Sequence, residues 1–207
     1  MIAEKDKEVY GTWNKRWKGA EERERLTFLG RQMFKAKIRV LSEVIRAIEF
    51  KTVIEIGCGL GYTMQVFHDA GYQYIGIDIS PDAVNVCRRK GLRAELKNAE
   101  DVVERYDLVS SDGMVEHFLN IEPFAIQIMR ISRRYCMLIQ PNHTSFWGKT
   151  FAYLAGILPG ERVYEYNYRI SDFIDIFQRN GYTIAKNLPI FFDVFRLLLF
   201  EKSGRDV

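Results

Sequence analysis

Three glycines, Gly57, Gly59 and Gly61, lie in the run VIEIGCGLGYT, between a short apolar segment and a helix-forming one. Glycine permits a tight turn and lets the backbone approach a ligand closely. A helix starting behind such a turn offers unpaired N–H groups and the positive end of its dipole. This loop suits a nucleotide-like ligand at the carboxyl edge of a strand. The spacing narrows the choice. The dinucleotide fingerprint is G-x-G-x-x-G, with a pyrophosphate on the helix N-terminus, whereas the spacing here is G-x-G-x-G. Glu55 stands inside the strand just before the turn, where a carboxylate repels a pyrophosphate and tolerates a cationic ligand. Asp78 ends the next apolar run, roughly 20 residues after the first glycine, where a carboxylate accepts hydrogen bonds from a ribose diol. The competing reading of Asp78 is a cap for the following helix or a solvated acid. Cys58, within the loop, has no base beside it and reads as a small filler rather than a nucleophile.

These residues need elements to hold them. VIEIG is a short strand; Thr63 to Ala70 follows as a helix that Gly71 ends. YIGIDIS is a second strand. Ser80-Pro81-Asp82 starts a helix with a capping hydroxyl, a proline in the first turn and an acid near the positive dipole end; it stops at Gly91. Strands are then expected at Leu92 to Leu96, in YDLVSS and in CMLIQPN, the last broken by Pro141, with a helix from Pro123 before it. Another helix spans Ser171 to Asn180, and Tyr182 to Ala185 and Phe191 to Phe200 are the last strands. Upstream, Met1 to Phe50 reads as helical, with Leu41, Val44, Ile45 and Ile48 forming one apolar stripe. Strands alternating with helices specify an α/β fold with a parallel sheet covered on both faces. Residues 143–168 fall outside the alternation and read as an insertion after the fifth strand. The chain divides into a helical cap (1–50), a ligand-binding core (51–142), that insertion, and a closing helix with strands (169–207), all in one domain.

The bulk properties fit. The chain has 207 residues, 47% hydrophobic and 28% charged, an ordinary globular balance. A net charge of +3, with basic residues interleaved with acidic ones, does not point to a nucleic-acid partner. No apolar run reaches the roughly 18 residues of a membrane span, and the polar N-terminus does not read as a secretory signal. Three scattered cysteines, Cys58, Cys87 and Cys136, suggest neither a zinc site nor a disulfide framework, and a reducing cytoplasm is the expected home.

With EIGCGLG, GIDIS, NAED at 98–101, YDLVSSDGMVEHF at 106–118 and LIQPN at 138–142, the sequence resembles the class I S-adenosylmethionine-dependent methyltransferases, most closely the branch acting on small molecules and on quinone or lipid precursors. The resemblance implies a Rossmann-like, seven-stranded, mostly parallel sheet with an antiparallel last strand. It implies that Glu55, Gly57, Cys58, Gly59 and Gly61 cradle the methionine part of S-adenosylmethionine. Asp78 would hold the ribose and Ile79 would lie against the adenine. Asn98 and Ala99 occupy the place of an Asp-Ala pair that serves the adenine amino group. Ser111 and Met114 would lie beside the sulfonium, although core packing is the alternative for Met114.

Methyl transfer asks for alignment, exclusion of water and, with hydroxyl acceptors, removal of a proton. The candidate bases are His117, Glu116 and His143, imidazole being suited by its near-neutral titration; the alternative is that Glu116 and His117 tie their loop to the sheet. The acidic or amide-Pro-Pro-aromatic tetrapeptide of nucleic-acid amino methylation and the Pro-Cys of cytosine methylation are both missing, which favours a small-molecule acceptor. A non-catalytic cofactor-binding module, or a methyltransferase acting on RNA or protein, is the alternative. Tyr10, Trp13 and Trp17 could roof the site or staple the first helix to the sheet. In the insertion, Phe151, Leu154 and Leu158 share a helical face one turn after Trp147. That stripe reads as core, as an apolar wall over a hydrophobic acceptor, or as a transient contact with a membrane surface.

Overall fold

A computed structural model describes Trp13, Trp17 and residues 28–157 and 166–204, apart from the side chains of residues 151, 152 and 154–157. Strand β1 (Thr52–Ile56) alternates its side chains between two apolar layers, Val53 on one face, Ile54 and Ile56 on the other. Such two-sided burial is what a central parallel strand requires. Around it lie β2 (Gln73–Asp78), β3 (Ala94–Leu96), β4 (Tyr106–Asp112), β5 (Ser132–Pro141), β6 (Tyr182–Ile190) and β7 (Phe195–Lys202), in the order β3-β2-β1-β4-β5-β7-β6. The first five run parallel, and β7 is antiparallel to both β5 and β6. This is the seven-stranded α/β sheet that the sequence implied.

Helices cover both faces. On one, α1 (Phe28–Arg46), α2 (Tyr62–Asp69) and α3 (Pro81–Arg89) bury Leu41, Val44, Ile45, Met64, Phe67 and Val84. On the other, α4 (Glu122–Ile131) and α6 (Ile170–Arg179) bury Ile128, Phe173 and Phe177. The Ser80 Oγ accepts the Ala83 N–H at 3.4 Å, with Pro81 in the first turn of α3. Helix α5 (Phe146–Ile157) lies within the expected insertion, and the Gly148 N–H donates to Ser145 Oγ at 2.8 Å at its start. No helix among the described residues is long and apolar enough to cross a membrane.

Two expectations change. The strand read at Tyr182 to Ala185 continues to Ile190 through Pro189. This is an edge strand, where a proline costs no ladder bond on its open side, and its exposed residues carry no apolar alternation. Phe191, Phe192 and Asp193 are not strand but a turn with positive φ, and β7 starts only at Phe195. Of the Met1 to Phe50 helix, α1 and the helical residues Trp13 and Trp17 are described; Tyr10, Leu158 and the side chains of Phe151 and Leu154 lie outside the described residues.

Candidate active site

The carboxyl ends of β1, β2 and β4 open into a cavity of about 270 Å³. The glycine loop forms its floor. The N–H groups of Gly57 and Cys58 both donate to the Ile77 carbonyl, at 2.9 and 3.0 Å, which ties the loop to β2. Gly57 and Gly59 have φ of 71° and 49°, a region L side chains rarely adopt. A side chain would also be crowded at both positions. A Cβ at Gly57 would lie 2.8 Å from Met114 Sδ, and one at Gly59 3.2 Å from the Trp17 ring.

The Asp78 carboxylate braces this loop from behind. It accepts from the Gly59 N–H at 2.9 Å through Oδ2 and from the Ser80 N–H at 2.9 Å through Oδ1. Burial pushes its pKa up, and the backbone donors of Ser80 and Gly59 oppose that shift. Asp78 is thus neither a solvated acid nor the helix cap, a role Ser80 fills.

Next to it, Glu55 is 2% exposed and its Oε2 has no hydrogen-bond partner. Burial raises its carboxyl to about 8; a hydrogen bond to Ser110 and the charge of Lys37 pull it down, while the charge of Asp112 pushes it further up. Lys37 reaches in from α1. Its Nζ lies 2.7 and 3.0 Å from the two Asp112 oxygens, and Thr63 Oγ1 donates to Asp112 Oδ2 at 3.2 Å. Sequence reading missed Lys37, Thr63 and Asp112 as site residues. The Lys37–Asp112 pair spans 75 positions, and a lysine on a charged helix gives no sign of the acid it will meet.

At the β3 side the cavity is lined by Ile79, Lys97, Asn98, Ala99, Phe118 and Phe124, with Lys97 Nζ 3.6 Å from Glu104. Phe118 and Phe124 stack with centroids 3.5 Å apart. Asn98 Oδ1 accepts the Glu100 N–H at 3.2 Å and so starts the short helix Ala99–Asp101. Trp13 and Trp17 also line the cavity, their rings stacked at 5.4 Å. Trp13 also meets the His117 ring edge-on at 4.8 Å.

Glu55, Gly57, Cys58, Gly59, Asp78, Ile79, Asn98, Ala99 and Met114 therefore meet in one cavity. Gly61 and Ser111 do not line it. A Cβ at Gly61 would meet Leu92 and Cys87, so that glycine lets α2 and α3 approach each other. Ser111 is fully buried, and its Oγ donates to the Ile56 carbonyl at 3.0 Å, joining β4 to β1. Nor do the candidate bases line it. Glu116 and His117 are buried in the short helix Val115–His117, and His143 follows β5. The Cys58 thiol is held well above its usual pKa by its contact with Cys87 and by burial, so it stays protonated.

A methyltransferase-domain family model matches residues 26–187. The chain belongs to that family. It carries a class I, S-adenosylmethionine-dependent methyltransferase domain. A ubiquinone biosynthesis O-methyltransferase of Hydrogenovibrio crunogenus is 34% identical over 82 residues, which cover 35% of this chain and 34% of that protein. The chain thus aligns with about a third of that relative's length. Among solved structures, the magnesium protoporphyrin IX methyltransferase of Synechocystis PCC 6803 with bound S-adenosylhomocysteine superposes with a TM-score of 0.72 at 18% identity, covering 86% of this chain and 89% of that one. An S-adenosylmethionine-dependent methyltransferase of Thermotoga maritima gives 0.71 at 15% identity, covering 92% and 100%. These likenesses concern the fold of the methyltransferase.

Proposed function

We propose that the cavity holds S-adenosylmethionine and that its methyl group passes to a small, apolar or aromatic acceptor seated beneath Trp13 and Trp17. One observation carries the reading: polarity is graded along a single sheet edge. From β4 to β3 the cavity meets Asp112 with Lys37, then Glu55, then Asp78, then Asn98 among apolar side chains. S-adenosylmethionine has the same order of groups, a charged amino-acid end, a ribose diol and an adenine. Three acids, Asp112, Glu55 and Asp78, against two lysines, Lys37 and Lys97, suit a ligand with a net positive charge, and disfavour a pyrophosphate.

When bound, this cofactor supplies a methyl group already activated by its sulfonium. Everything else falls to the chain. Glu55, in its ionised form, takes the ammonium group, and its unpartnered Oε2 is the oxygen free to do so. Asp78 uses one lone pair of each oxygen on the backbone and keeps others for the diol. Ile79, Ala99 and Phe124 enclose the base. Met114, lying over Gly57, and the Trp13–Trp17 pair exclude water, and a ring face attracts a nearby cation. His117 stands against Trp13, so we assign it to positioning that ring rather than to proton removal.

Calorimetry with S-adenosylhomocysteine and with NAD tests the cofactor, and turnover on phenolic against sugar or nucleotide acceptors tests the rest. Binding of the first ligand alone, with turnover confined to aromatic acceptors, is the expected result. Binding of NAD instead overturns the cofactor assignment. S-adenosylhomocysteine binding without turnover on any acceptor leaves only a cofactor-binding module.

A further inference from the structure

Between β6 and β7 three consecutive non-glycine residues, Phe191, Phe192 and Asp193, have φ of 46°, 54° and 67°. L residues avoid this region, and three in a row need external support. The support is present. Asn142 Nδ2 donates to Asp193 Oδ2 at 3.0 Å, Ser145 Oγ donates to the Asp193 carbonyl at 2.8 Å, and Arg196 holds the same carboxylate through Nε at 2.7 Å and Nη2 at 3.1 Å.

The strained turn presents an aromatic side chain to solvent. Phe192 is 68% exposed, and its ring lies 5.8 Å from Trp147, itself 45% exposed. Phe146, 73% exposed, meets Trp147 edge-on at 5.3 Å. Tyr153, 71% exposed, lies two turns along α5 from Phe146, on the same face as the exposed Lys149. Across a groove lined by Phe191 and Phe192 stand Lys35 and Arg39 of α1. The acid in that groove, Asp193, is neutralised by Arg196. A set of exposed rings is therefore bordered by Lys35, Lys149 and Arg39, the last 4.0 Å from Glu43, an excess of positive charge.

We propose that this face seats the protein on an anionic lipid surface. Exposed aromatic rings favour the headgroup level of a bilayer, and lysine and arginine beside them are drawn to anionic lipids. The topology gives such contact a direction. Because β7 is antiparallel to β5, its first residue, the end of β6 and the end of β5 all lie at one sheet edge. That edge also carries the cavity. Docking there turns the cavity mouth toward the lipid without any segment crossing it. The inference stands on the surface residues and does not depend on which acceptor is methylated.

The test is co-sedimentation of the full chain with phosphatidylcholine vesicles, with and without about one third phosphatidylserine. Wild type is expected to pellet with the anionic vesicles, far less with the neutral ones, and less again in high salt. Trp147→Ser combined with Phe192→Asn should weaken that binding at least about tenfold. Asparagine tolerates the left-handed backbone, so an unchanged melting temperature separates lost binding from lost fold. A Lys35→Glu/Arg39→Glu variant should lose the preference for anionic vesicles. No pelleting of wild type on either vesicle overturns the proposal, as does pelleting of both variants to the same extent as wild type. A concentration-dependent dimer in sedimentation velocity, dissolved by the aromatic double variant, would give the face to a second copy and also overturn it.

Discussion

The Asp78 carboxylate accepts the Gly59 N–H at 2.9 Å across 19 residues, while its other oxygen accepts the Ser80 N–H at 2.9 Å. One side chain therefore fixes the glycine loop and the entry to α3 before any ligand arrives. Asp78→Ala removes both acceptors at once. Bonds to a charged acceptor contribute about 1.5–3 kcal/mol each, less here because the carboxylate is also relieved of its burial. The variant should melt at a lower temperature than wild type and gain no thermal shift from S-adenosylhomocysteine. A full ligand-induced shift in Asp78→Ala would remove the residue from the site.

Gly59→Val acts on the same loop by a different route. A left-handed backbone costs an ordinary L residue roughly 1–2 kcal/mol, and a β-branched one more. The new side chain would also press on the Trp17 ring, with its Cβ only 3.2 Å from that ring. The fold should survive and cofactor binding should not. Gly61→Ala is the contrasting variant, because its methyl would meet Leu92 and Cys87. It should lower stability while the protein that remains folded binds the ligand normally. Equal binding losses in both variants would mean that the loop's conformation, not the cavity floor, decides affinity.

Much of this site was legible because its residues are adjacent in sequence and have backbone requirements of their own. The glycine loop, Glu55 and Asp78 carry a local signal, since the end of a parallel strand, a turn and a helix start must follow one another. The alternation of elements likewise gave the sheet. What was not legible depends on distant pairs. Ser111 was read as a ligand-side residue, but its hydroxyl is used on the Ile56 carbonyl 55 positions away. Lys37 reads as any solvated lysine until the fold brings its side chain to Asp112 at the end of β4. Phe191 and Phe192 read as strand from their composition, because nothing local announces a turn that is held by Asn142, Ser145 and Arg196.

The Lys37–Asp112 pair offers a separable prediction. Its two side chains are 21% and 16% exposed, so breaking it leaves a mostly buried charge. Lys37→Met should cost about 2 kcal/mol, between the values for exposed and fully buried pairs. Lys37→Met with Asp112→Asn should recover most of that stability, since neither group is then an uncompensated charge. Cofactor affinity should stay low in the double variant, because the charged end of the cavity is gone. Restored affinity together with restored stability would show that the pair only holds α1 to the sheet.

Glu55 should make both stability and binding depend on pH, in opposite senses. Its carboxyl is raised to about 8 in the fold by burial, against roughly 4.3 in an unfolded chain. A group raised on folding contributes stability that is complete below the unfolded value and is lost as the pH climbs through the folded one. The ligand-free protein should therefore lose stability between about pH 5 and 8 relative to Glu55→Gln, in which this titration is absent. An ammonium group beside Glu55 favours the ionised form. Affinity for S-adenosylhomocysteine should accordingly rise over the same interval, with a proton released on binding near neutrality. Calorimetry in buffers of different ionisation enthalpy measures that proton, and its absence in wild type would place the ammonium elsewhere.

The two tryptophans should divide the work between cofactor and acceptor. Trp17 lies against Gly59, on the cavity floor, whereas Trp13 leans on His117 at 4.8 Å. Trp17→Ala should weaken S-adenosylhomocysteine binding by about tenfold, equivalent to roughly 1.4 kcal/mol. Trp13→Ala should leave that binding unchanged and raise the acceptor KM by a similar factor. His117 then distinguishes positioning from proton transfer. If it only sets the Trp13 ring, His117→Gln should raise the acceptor KM and keep the shape of the pH–rate profile. A general base would leave a different mark: kcat would fall, and the acidic limb of the profile would disappear. The geometry favours the first outcome, because the imidazole meets Trp13 and does not line the cavity. Loss of the acidic limb in His117→Gln, with acceptor KM unaltered, would return His117 to the chemistry and make the Trp13 contact incidental.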